Sequence, residues 1–184
     1  MKLAEEIWIT LAKEEVELRP SLYHALQLER RPGSFGQLLK DIQEGSLSAA
    51  LDIIRPHFDG LFLANRVHEV LPKIQPQLFV YVFGCMGVDP DAPEPKTKAK
   101  AVKPRPMSEY LTDLYRIGTG WLDWSPEDTL DATPLEITLA YEGKRQMLRA
   151  IYGGATEAAK DDRPLNDKFR SIFQNHGTTK ESAE

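Results

Sequence analysis

A mainly α-helical chain with a small N-terminal β-hairpin, an α+β arrangement of two small helical modules on a proline- and lysine-rich linker, follows from three observations. Apolar residues recur at spacings of three and four over much of 20–88 and again from 107 to 151. A short segment near the N-terminus is instead rich in β-branched and aromatic residues. Between the helical stretches, 89–106 holds five prolines and five basic residues with almost nothing to bury. The expected organisation is therefore 1–88 as a hairpin plus helical module, 89–106 as linker, 107–154 as a small helical module, and 155–184 as a polar, partly disordered tail.

The hairpin is read from Ile7, Trp8, Ile9, Thr10 and Leu11, then Val16, Glu17 and Leu18, with Lys13-Glu14-Glu15 between the arms. Ile7, Ile9 and Leu11 share one face of the first arm, as Val16 and Leu18 do in the second, so each arm lays one side on a helical core. From Pro20, the spacing of Leu22, Ala25 and Leu26 predicts a short helix that stops at Arg30-Arg31-Pro32. Ser34 is the expected N-cap of a second helix with Phe35, Leu38, Leu39 and Ile42 on one stripe, ending near Gly45. Ser46 or Ser48 caps a third, carrying Leu47, Ala50, Leu51 and Ile54 and closed by Pro56. Phe62, Leu63, Val67 and Leu71 form the next amphipathic pattern, which Pro72 and Pro76 punctuate. The run from Gln77 to Met86 has the propensity of a strand but helical neighbours, and is read as a buried helix.

Past the linker, Met107, Tyr110, Leu111, Leu114 and Tyr115 resume helical spacing, with Gly118 and Gly120 as left-handed C-cap positions. Two helix starts follow, Ser125-Pro126-Glu127-Asp128 and Thr133-Pro134-Leu135-Glu136, each with a hydroxyl cap, a proline and an acid in the first turn. The second opens a helix whose stripe is Ile137, Tyr141, Leu148 and Ile151, ending at Gly153-Gly154.

Composition narrows the function. The net charge of −5, from 23 basic and 28 acidic residues, opposes wholesale neutralisation of a nucleic-acid backbone. No apolar run approaches the length of a membrane helix, and Glu5 and Glu6 stand where a secretory signal needs basic residues. The single cysteine, Cys85, sits in an apolar run as a core residue and suits a reducing compartment, so the cytoplasm is the expected location. His24, His57, His68 and His176 form no metal-ligand spacing with one another or with Cys85. Neither a catalytic residue, a metal site nor a bound cofactor is expected. Trp121-Leu122-Asp123-Trp124 is the unusual local feature, two large aromatics where chains are ordinarily polar. Both rings are expected in the core of the second module, and a binding surface is the alternative. On that alternative Trp121, Leu122, Trp124 and Leu135 are the partner-binding candidates.

Two stretches also resemble phage families. Ile9 to His57, with Val16-Glu17-Leu18-Arg19, Leu26, Gly33-Ser34-Phe35, Leu38-Leu39 and Leu47 to Ile54, resembles the gene transfer agent family of tail assembly chaperones. Leu114 to Ala140, with Gly118, Gly120, Leu122, Trp124-Ser125-Pro126-Glu127, Thr133-Pro134 and Glu136, is similar to a family of small helical phage tail assembly chaperones. It departs from that family at Asp128-Thr129-Leu130, where an aromatic residue usually follows the acidic pair. The resemblance implies a non-enzymatic chaperone that binds and solubilises the tape-measure protein before tail tube polymerisation and is left out of the mature particle. The tail tube protein and self-association are further partners on this reading, without nucleic acid or membrane. The alternatives are a nucleic-acid or protein adaptor using the basic linker, or an enzyme with unrecognised catalytic residues.

The linker composition makes its own prediction. Limited proteolysis of the native chain should cut first within 89–106, and an intact chain under conditions that trim the tail would show the linker to be packed.

Overall fold

The computed structural model describes residues 6–88 and 105–152. Most of the linker, the polar tail and His176 lie outside the described residues. The chain divides into two compact units, 1–146 and 147–184. In the second, the described part is 147–152, the end of a helix.

The first unit opens with the expected hairpin, β1 (Trp8–Leu11) and β2 (Glu14–Glu17), paired antiparallel with Ile9 opposite Val16. Ile7, Ile9, Leu11, Val16 and Leu18 are all buried, so one face of the ladder belongs to the core while Glu15 and Glu17 stay in water. The two-residue loop is Ala12-Lys13, one position earlier than the polar cluster suggests, and both residues have positive φ, 48° and 78°. Positive φ at both positions suits the strand twist but is the province of Asn and Gly.

Three short helices follow, α1 (Leu22–Glu29), α2 (Ser34–Gln43) and α3 (Leu47–Ile54). Ser21 caps α1, its hydroxyl accepting from the His24 amide at 3.3 Å. Ser34 is not the cap of α2. Gly33 takes that position with φ 78°, Ser34 follows at φ 51° as the first residue of the helix, and no side chain caps it. Ser46 precedes α3 as expected, but its hydroxyl bonds that of Ser48 at 3.0 Å.

A 3-10 turn (Arg55–His57) leads to α4 (Leu63–Cys85), a continuous helix of 23 residues. Pro72 and Pro76 were expected to break this region and do not. They lie four apart and exposed, on the side opposite Val67, Leu71, Ile74, Leu78, Tyr81, Val82 and Cys85. The carbonyls that lose their amide partners, those of His68 and Pro72, therefore lie on the watered side, and burial of the other face carries the helix through. The run 77–86 is helical, as read, up to Cys85.

The second group comprises α5 (Met107–Arg116), a π-helical turn (Ile117–Trp121), α6 (Pro126–Asp131) and α7 (Pro134–Tyr152). Gly118 and Gly120 are not left-handed caps; they lie inside the π-helical turn. Ser125 caps α6 through the Asp128 amide at 3.0 Å. Thr133 and Glu136 close a reciprocal box at the start of α7, with Glu136 N–H donating to Thr133 Oγ1 at 3.1 Å and Thr133 N–H to Glu136 Oε2 at 2.8 Å. The stripe expected along α7 is buried only at its first turn, at Pro134 and Ile137; Tyr141 and Leu148 are half-buried and Ile151 is exposed.

Helices from both sides of 89–104 share one core. Leu22, Leu78 and Val82 belong to the same buried cluster as Leu111, Leu114 and Ile137. α1 packs on α5 and α6, and the Leu22 amide donates to the Ala132 carbonyl at 2.8 Å. Gly87, at φ 68°, allows the end of α4 to pass Tyr110, whose hydroxyl would lie 2.5 Å from any Cβ there. No described helix is long and apolar enough to cross a membrane.

Two stability predictions arise from the backbone. Replacing Ala12-Lys13 with Asn-Gly should raise stability by about 1–2 kcal/mol, because a left-handed residue with a Cβ costs that much. Pro76→Ala should gain about 1–3 kcal/mol by restoring an interior helix bond at an exposed position. Denaturant melts read both, and an unchanged midpoint would show that the turn or the helix relaxes without strain.

Candidate functional site

The π-helical turn decides where the tryptophans go. Its extra residue is recorded in the Leu122 amide, which donates to the Ile117 carbonyl five residues back at 3.0 Å. Gly118 makes the turn possible, since a Cβ there would lie 2.4 Å from Thr129 Cγ2 on α6. The Trp124 amide then returns to the Gly118 carbonyl at 3.1 Å, with Asp123 between them at φ 59°. This geometry separates the aromatic pair. Trp124 and Leu122 are half-buried against the core, whereas Trp121 is 57% exposed. The expectation that both rings fold into the core is thus corrected for Trp121, because one extra residue in the wider, underwound π-helical turn directs it outward. Leu135, the fourth candidate, is half-buried in the first turn of α7 and is not exposed alongside Trp121.

Trp121 instead leans on α7. Its ring meets Tyr141 edge to face, with centroids 6.2 Å apart. The Arg145 guanidinium lies over the Tyr141 ring at 5.8 Å. Lys144 donates to the Trp121 carbonyl and stands 3.5 Å from Asp123. The result is an exposed indole beside a half-buried Tyr141, edged by Arg145 and by a Lys144 paired with Asp123, with a backbone fixed from below by α6 and from the side by α7.

A second cluster was not legible in the sequence. His24 of α1, His57 of the 3-10 turn and Tyr81 of α4 stand in a row: the two imidazoles are 4.6 Å apart edge to face, and His57 Nε2 is 3.0 Å from the Tyr81 hydroxyl. Cys85 lies one helical turn beyond Tyr81 on the same buried face of α4. Burial lowers the pKa of His57 to about 4, with a smaller push from His24. Burial lowers that of His24 too, opposed by the Arg19 carbonyl and by the charge of Asp131. Burial also raises Tyr81 and Cys85, so the thiol is held neutral and is a poor nucleophile.

Beside His24, a groove of about 510 Å³ is lined by Ser21, Tyr23, Glu127, Asp128, Leu130 and Asp131. Ser21 Oγ lies 3.1 Å from His24 Nδ1, but the pair is not arranged as nucleophile and base. Ser21 is buried and its hydroxyl already accepts from the His24 amide as the cap of α1, while Nδ1 also faces the Arg19 carbonyl at 3.4 Å. His68 is exposed on α4, and among the described residues no three metal-ligating side chains cluster.

No family model and no solved structure matches the chain. Among curated proteins, it is 25% identical over 118 residues to the "Response regulator receiver protein CpdR" of Brucella abortus (strain 2308), a match covering 59% of this chain and 94% of that protein. These findings overturn the tail assembly chaperone expected from the two resemblances: neither chaperone family is returned, and the relative found carries a different description. Short cap and turn strings such as Ser-Pro-Glu and Thr-Pro-Leu-Glu recur wherever helices start, which is how the resemblance arose.

Proposed function

We propose that the chain is a protein-binding module that carries out no reaction of its own and meets its partner with the Trp121–Tyr141 face. The observation that carries this reading is the exposed Trp121 on a backbone held by a π-helical turn. Tryptophan is enriched among residues that dominate binding energy, and a ring held in place before binding loses little entropy on contact. Arg145 borders the face, which favours a partner segment with an apolar side chain and a carboxylate beside it, whereas the Lys144 charge is met by Asp123. Nucleic acid is a poor fit to a chain of net charge −5.

The absence of a reaction is supported by the state of the reactive side chains. Cys85 is fully buried and neutral, and Ser21 and His24 are committed to capping α1. A free cysteine in that position also favours a reducing compartment, for which the cytoplasm is the proposal.

The test is Trp121→Ala. Because the ring is largely exposed, the variant should lose less than about 1 kcal/mol of stability, where truncating a fully buried tryptophan costs about 3–5 kcal/mol. A photo-crosslinking residue at 121, with one at exposed Lys13 as control, identifies the partner, which is then purified and titrated. The variant should bind it about 30-fold more weakly, the loss expected of a central anchor. Equal affinity for the two proteins would sink the proposal, and a large drop in melting temperature would return Trp121 to a structural role. A dimer in sedimentation that disappears in the variant would identify the partner as a second copy.

A further inference from the structure

The hairpin turns one row of backbone groups outward. The Leu18 amide donates to the Ile7 carbonyl at 2.7 Å, so Ile7 and Leu18 face each other as a hydrogen-bonded pair. By the alternation of an antiparallel ladder, Ile9 with Val16 and Leu11 with Glu14 are hydrogen-bonded pairs too. The intervening residues of β2, Glu15 and Glu17, therefore direct their N–H and C=O groups away from β1. Among the described residues no backbone group bonds to them. β1 packs against α4, which leaves β2 as the outer strand. An edge of this kind is a template for one more strand.

The side chains on that edge select the strand. Glu15 and Glu17 are exposed on the watered face, with Val16 between them buried on the other. The nearby cations are engaged elsewhere: Arg66 holds Glu14 at 3.1 Å, and Arg19 stands 3.9 Å from Glu136. Among the described residues no cation lies within ion-pair distance of Glu15 or Glu17. A second copy of β2, paired antiparallel about Val16, would set each Glu15 opposite a Glu17. Like charges directly opposite destabilise a strand pair, so the edge rejects its own twin. The same two positions favour a strand with Lys or Arg facing each glutamate. The residue between those cations lies beside Val16 on the core side, where a small or apolar side chain fits.

We infer that the β2 edge docks an extended basic segment of another protein as a third strand, with two cationic residues, separated by one, facing Glu15 and Glu17. The backbone groups supply the attachment, and the two acids choose the partner. No residue of this edge belongs to the Trp121–Tyr141 face, so the two surfaces are tested separately.

The probe is a peptide capped at both ends, Thr-Lys-Val-Lys-Val-Lys-Thr, titrated to millimolar concentration into the full chain and followed by nuclear magnetic resonance. The Glu15 and Glu17 amide signals should move, and their hydrogen exchange should slow by at least about fivefold at saturation, while Leu78 and Val82 stay unchanged. Two controls separate a strand from a charge. N-methylation of the lysine backbone nitrogens keeps every charge but removes the donors, and should abolish the protection. Glu15→Lys combined with Glu17→Lys should weaken the peptide at least about tenfold, and a peptide with glutamates in place of its lysines should bind that variant instead. Where the double variant does not fold, the N-methylated peptide decides. Equal binding of the N-methylated peptide, protection at Trp8 and Thr10 in place of Glu15 and Glu17, or no movement of any signal at millimolar peptide would each overturn the proposal. A chain that sediments as a dimer, with Glu15 and Glu17 protected before peptide is added, would assign the edge to a second copy and overturn it as well.

Discussion

Along α4, seven side chains from Val67 to Cys85 form a buried stripe, and the hairpin, α1, α2 and α3 each pack against this helix. Residues there leave water on one side only, so the helix gains its stability from one face and tolerates faults on the other. At about 25 cal/mol per Å² of apolar surface removed from water, such a stripe outweighs two unmade backbone bonds facing solvent. The prolines survive because they keep to the exposed side; the same two residues moved round to Leu71 and Gln75 would put the unpartnered carbonyls close to the core.

The second consequence of α4 is positional. Its C-terminus delivers Gly87 to Tyr110 and Pro134, which brings α5 and α7 into the same apolar environment as α1. Once α5 is fixed by Leu111 and Leu114, the π-helical turn that continues it has little freedom, and the direction of Trp121 is set by core residues that it does not touch.

The sequence carried much of this fold in its local chemistry. Alternating Ile7, Ile9 and Leu11 announced the hairpin, and Ser125-Pro126 and Thr133-Pro134 marked helix starts whose caps are formed as read. Such signals are legible because each depends on neighbours within four residues. Three features were not. Continuity through Pro72 and Pro76 rests on which face the prolines occupy, and the need for a glycine at position 118 of the π-helical turn comes from Thr129 of another helix. The row of His24, His57 and Tyr81 joins residues more than twenty positions apart on three elements, so no spacing rule reaches it. The functional resemblance failed for the opposite reason: its strings were local, and local strings are shared by unrelated helices.

The core that unites α4 with α5 also changes what a break in the backbone between them would mean. Val88, bonded back to the Phe83 carbonyl, and Arg105, paired with Asp113, both belong to the first unit, and the chain leaves and re-enters a single body. A cut between these anchors would remove one peptide bond and none of the buried contacts that bind α1 to α5 and α6. The two pieces would behave as a non-covalent heterodimer, held by Leu22, Leu111, Leu114 and Ile137 and by the bond from Leu22 to Ala132. The contacts between α1 and α5 and α6 would thus hold the two pieces together without a covalent link between them.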